Sequence, residues 1–168
     1  VLALFDQGLV TTDPGARAAA ASDTELVAEM TGALGPGADV FEVPVVSFPD
    51  DPGSGRLLAP AVVSDGSLRF SAGFFRGGAD DWQLSWCRRP TAQFVRAITA
   101  VGFDALLVQR NHHLIGDRAD LESQLRSTVG TPAGVSSDGA FAWYDLRPLR
   151  EELVAEHGDD APIEWVHR

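Results

Sequence analysis

Arg69, Arg76, Trp82 and Trp86 are the residues of this chain best suited to holding a ligand. Indole faces stack on sugar rings, and guanidinium groups hydrogen-bond hydroxyls or phosphates. Trp82 and Trp86 stand four residues apart, so a short helix would put both on one face. The same spacing is also what a plain packing face would show. Ser71 lies close by, in Phe70-Ser71-Ala72-Gly73, with no histidine placed in sequence to activate it. Asp6 and Gln7 directly follow an apolar run, and Arg110 directly follows another. If both runs are parallel strands, the three residues emerge at the carboxyl edge of one sheet, where open α/β sheets bind ligands. Asp6, Gln7, Arg69, Ser71, Trp82 and Arg110 are therefore the candidate ligand-binding set. An ion pair of Asp6 with Arg110 that only pins a loop is the competing expectation.

Other chemistries fit less well. His112-His113 is the one histidine pair. Neighbouring residues on a strand point to opposite faces, and no third ligand stands at a zinc-like spacing. Asp50-Asp51, Asp80-Asp81 and Asp159-Asp160 lack the ordered run of oxygen ligands that a calcium loop needs. They read as turn and capping residues, and no metal is expected. Gly73-Phe74-Phe75-Arg76-Gly77-Gly78 has the glycines of a phosphate loop, but bulky Phe where backbone must approach phosphate. Gly-x-Ser-x-Gly is absent, which excludes a nucleophile elbow. The single cysteine, Cys87, precludes an internal disulfide. It is expected to be an inert thiol, although Arg88-Arg89 beside it could lower its pKa. No catalytic residue and no cofactor are expected.

The chain of 168 residues carries a net charge of −11, from 24 acidic and 13 basic residues. Every basic residue is Arg. With abundant Ala, Gly and Val, that points to a high-GC genome such as an actinobacterial one. The acidity argues against a nucleic-acid partner and against an anionic membrane face. No stretch approaches the roughly 18 apolar residues of a membrane span. The chain opens on Val1 inside an apolar run, without an initiator Met, which reads as a segment of a longer protein.

The elements that must position these residues follow from periodicity and punctuation. Val1 to Phe5 is a buried-type strand. Asp13-Pro14-Gly15 reads as a turn. Ser22-Asp23-Thr24-Glu25 reads as a capping box that opens a helix over 22–34. Val40 to 47 is strand-like, with Pro44 forcing an edge or a bend. Residues 49–60 read as loop, Asp65-Gly66 as a turn and Leu68-Arg69-Phe70 as a short strand. A short helix carries Trp82 and Trp86. A better one covers 90–101 and closes at Gly102. A strand at 104–109 follows, then a helix capped by Asp117 and stopped by Gly130. Asp138-Gly139 between two β-capable runs predicts a hairpin. The expectation is a single α/β domain over 1–147, with a mixed, partly parallel sheet flanked by helices and a C-terminal β-hairpin. An acidic helical tail, partly disordered, would occupy 148–168.

The clauses, in order, resemble the soluble tail of bacterial polytopic envelope proteins. These are the membrane glycosyltransferases of the C-type superfamily and the phosphoglycerol-transferase-like proteins. The resemblance rests on Phe5-Asp6-Gln7 and on Val43-Pro44 running to Phe48-Pro49-Asp50. It continues through Arg69-Phe70-Ser71-Ala72-Gly73, Asp81-Trp82, Gly102-Phe103 to Arg110, and Ser136 to Leu146. Phe70 stands where Trp is commoner. The resemblance covers most of residues 1–147, and its order is more telling than any one clause. It implies an extracytoplasmic, non-catalytic domain of a membrane-bound transferase, since the catalytic acid of such enzymes usually lies in the membrane part. It also implies partners: the membrane part of the same chain, and a glycan or sugar phosphate. The contrasting expectations are a free-standing α/β small-molecule enzyme and a pure protein-interaction domain.

Overall fold

The computed structural model describes residues 13–46, 54–71 and 82–158. They form helices on both faces of a five-stranded mixed sheet. In chain order the elements are α1 (Pro14–Leu34), β1 (Asp39–Val43), α2 (Ser54–Val63), β2 (Arg69–Phe70), α3 (Trp82–Trp86), α4 (Thr91–Ala100), β3 (Ala105–Gln109), α5 (Arg118–Val129), β4 (Gly134–Val135), β5 (Phe141–Asp145) and α6 (Arg147–His157). The strand order is β2-β1-β3-β5-β4. β1 pairs in parallel with β2 and β3, and β5 pairs antiparallel with β3 and β4. The sheet is thus α/β in character, with the predicted hairpin as its antiparallel margin.

The two central strands are covered on both sides, as their apolar character requires. All five residues of β3 are buried. Phe41, Leu106, Val108, Ala142 and Tyr144 face a cluster built with Trp86, Phe94, Ile98, Leu125 and Leu149. Val40, Ala105, Leu107, Phe141 and Trp143 face the other way, onto Leu26, Val27, Met30 and Leu57. Burying a side chain of this size stabilises by roughly 1.5–3 kcal/mol each. α6 belongs to this body, because Leu149 and Leu153 are buried in the first cluster.

Several boundaries differ from the sequence-based expectation. α1 starts at Pro14, not at Ser22. Asp13 caps it, accepting from the Gly15 amide at 2.9 Å, and Pro14 fits the first turn, where its missing N–H costs nothing. Asp-Pro-Gly was therefore a helix start, and the residues of the expected capping box lie mid-helix. β1 ends at Val43, since Pro44 brings no donor to a ladder. Residues 54–60, expected to be loop, belong to α2, which runs on to Val63 with Pro60 inside it. The strand expected at 1–6 lies outside the described residues.

Candidate functional site

Parallel β1, β2 and β3 give the sheet a defined amino edge and carboxyl edge, and the expected site residues divide between them. Asp39 and Arg69 open β1 and β2 in register. The Arg69 guanidinium grips the Asp39 carboxylate by two hydrogen bonds of 2.7 and 2.6 Å. That hydrogen bonding, outweighing partial burial, holds the Asp39 carboxyl below its ordinary range. Asp104, just before β3, accepts from the Asp39 amide and from Arg150. Asp145 and Arg147 close the same edge from β5 and α6. The amino edge is a lattice of ion pairs, with Arg69 as one member.

Arg110 stands beyond the other end of β3. Its Nε donates to Glu122 on α5 at 2.7 Å, and its backbone N–H bonds the Ala140 carbonyl. At about 3.3 Å per residue, the length of β3 alone spans some 13 Å. Arg69 and Arg110 therefore do not share a wall, which corrects the expectation that both flank one ligand. Asp6 and Gln7 lie outside the described residues.

Ser71 is joined to α3 through Gln83, the residue after Trp82. The Ser71 hydroxyl accepts from the Glu42 amide at 2.9 Å, and its own amide bonds the Val40 carbonyl. Its carbonyl accepts from the Gln83 side chain at 3.2 Å, next to Trp82. Ser71 thus ties β1, β2 and α3 into one unit. Trp82 packs 6.2 Å from the Phe41 ring and 4.7 Å from the Trp86 ring, edge-on to the latter. These are favourable aromatic geometries. Phe103, from the turn between α4 and β3, meets Phe41 edge-on at 5.0 Å.

Around this aromatic group lies an open cavity of about 630 Å³, lined by Trp82, Ser85, Trp86, Arg89, Val101 and Phe103. The Arg89 guanidinium lies 5.7 Å from the Trp86 ring centroid, in cation–π range. Trp82 and Trp86 were legible as a one-face pair. The contributions of Arg89, Val101 and Phe103 were not, because the α4–β3 turn had to be placed in space first. Arg76 lies outside the described residues.

A second polar cluster sits at the carboxyl edge on the opposite face. The β4–β5 turn lies just beyond the end of β3, because Gln109 pairs with Phe141. Arg56 of α2 reaches there, bonding both Asp23 of α1 and Asp138 of the turn, the latter at 2.6 Å. Ser22 accepts from the Asp138 amide, and the Ser136 hydroxyl donates to Asp138 at 2.7 Å. Asp23 is 1% exposed. Burial raises its pKa against the opposing pull of Arg56. Burial would raise Asp138 as well, but Ser136, the Ala140 amide and Arg56 together hold it below the usual value. Sequence reading missed this cluster because Arg56 was assigned to a loop and Ser22-Asp23 to a helix start.

His112 and His113 lie in a turn, not on a strand, with rings stacked at 4.5 Å. His112 Nδ1 accepts from the Leu114 amide. Among the described residues no group of three or more His, Cys, Asp or Glu is arranged to hold a metal ion. Cys87 is exposed as a residue, yet its thiol is packed closely enough that burial pushes it up to about 12, against a backbone hydrogen bond from Val45. No family model matches the chain, and neither the curated proteins nor the solved structures yield a match.

Proposed function

We propose that this chain is a non-catalytic α/β domain of a membrane-bound envelope glycosyltransferase or phosphoglycerol-transferase-like protein. In this reading it lies on the extracytoplasmic face, packs on the membrane part of its own parent chain and assists in holding glycan or acceptor. The order of the sequence clauses motivates the family. One structural observation carries the non-catalytic part. Among the described residues, Arg69, Arg110 and Ser71, the polar members of the candidate set, are each engaged with a structural neighbour. Arg69 holds Asp39, Arg110 holds Glu122, and the Ser71 hydroxyl holds the β1 backbone. The Cys87 thiol, at about 12, is no nucleophile at neutral pH. No helix among the described residues is long and apolar enough to cross a membrane, so in this reading the parent chain supplies the spans.

The test has two arms. The isolated chain should neither hydrolyse nor transfer sugar from nucleotide-linked or lipid-linked donors. The parent membrane protein lacking these 168 residues should still insert but lose most of its transfer activity. Full activity after deletion would overturn the proposal, as would a reading frame that starts near Val1 with no apolar spans upstream.

A free-standing α/β enzyme is the second reading, and Asp23 favours it. A buried carboxyl with a raised pKa, near the carboxyl end of β3 in the mixed sheet, is the kind of group active sites use. Turnover by the isolated chain that Asp23→Asn abolishes, without loss of fold, would establish it.

A further inference from the structure

We draw no further inference here: the strongest candidate, the Asp23–Arg56–Asp138 side-chain cluster between α1, α2 and the β4–β5 turn, belongs to the carboxyl-edge site already described, where its ion pairs and hydrogen bonds run among its own members.

Discussion

The guanidinium carbon of Arg56 lies 4.9 Å from the centroid of the Phe141 ring. The same side chain bonds Asp23 and Asp138. One arginine therefore joins α1, α2 and the β4–β5 turn at the carboxyl edge, with its flat face on the sheet and its edges on two carboxylates. That arrangement uses every property in which Arg differs from Lys: planarity, forked donors and weak hydration.

Arg56→Met should consequently be far worse than its surface position suggests. Asp23 is 1% exposed and would be left as a buried charge without its counter-ion. Breaking a fully buried pair costs roughly 3–5 kcal/mol. About a quarter of the Arg56 side chain remains in solvent, so a loss of about 2–3 kcal/mol is expected. Adding Asp23→Asn to Arg56→Met should restore at least half of that loss, because the orphaned charge is removed. Urea midpoints of the single and double variants measure the coupling. Additive losses would show that the pair is not a unit.

Gly134→Ala should be destabilising for a reason unrelated to glycine's backbone freedom. Trp143 Nε1 donates to Glu29 of α1 at 3.0 Å, and this bond passes over Gly134. A Cβ there would collide with the Glu29 carboxylate and with the indole nitrogen. Either the bond breaks or β4 moves, at a cost of about 1–3 kcal/mol. A lowered melting temperature with a changed Trp143 indole signal is the expected outcome. An unchanged indole resonance would mean that the helix yields instead.

What the sequence revealed and what it hid divide along a physical line. β3, α4, α5 and the Asp138-Gly139 hairpin were legible because local signals agree there: apolar runs, caps and turn glycines all point to one structure. α2 was hidden because the turn-rich run 50–55 leads into its first residues and Pro60 lies within it, so punctuation outweighed the helical spacing of Leu57 and Ala61. Ser22 and Asp23 have the chemistry of a cap, but tertiary partners 33 and 116 residues away took them instead. The candidate site was legible only as a tryptophan pair. Its remaining walls come from Arg89, Val101 and Phe103, and no local pattern announces that they meet. Arg69 reads as part of the short Leu68-Arg69-Phe70 strand and Arg110 as the residue after an apolar run, so neither shows in sequence which edge it occupies. Arg69 opens β2 and Arg110 follows the end of the parallel β3, and that puts them on opposite edges.

Cys87 should react slowly despite its exposure. With the thiol pushed up to about 12, only a minute fraction is thiolate at pH 8. Iodoacetamide should modify it at least tenfold more slowly than free cysteine at that pH, with the rate still climbing above pH 10. A plateau below pH 9 would mean that Arg88 and Arg89 activate the thiol after all. It would also remove one support from the non-catalytic reading.

Acid should unfold the protein through pairs such as Arg110–Glu122, and two substitutions should change that response in opposite directions. The Arg110 hydrogen bond, outweighing burial, lowers the Glu122 pKa in the folded state. Its contribution is complete above the ordinary glutamate value and is lost as pH falls through the lower folded value. Glu122→Gln should flatten this acid decline, by about 1 kcal/mol for a part-buried pair that solvent still reaches. Asp23 has the opposite sign. Burial raises its folded pKa, so its contribution is present below the ordinary aspartate value and fades as pH rises through the raised one. Its protonation partly offsets the losses from the other carboxylates as the solution is acidified. Asp23→Asn removes that offset and should steepen the acid decline, even though it also weakens the contact with Arg56 at every pH. Urea midpoints at intervals from pH 3.5 to pH 7 separate the two effects. If both variants bend the pH profile the same way, burial does not raise the Asp23 pKa in the folded protein, and the case for a functional carboxyl at this edge falls with it.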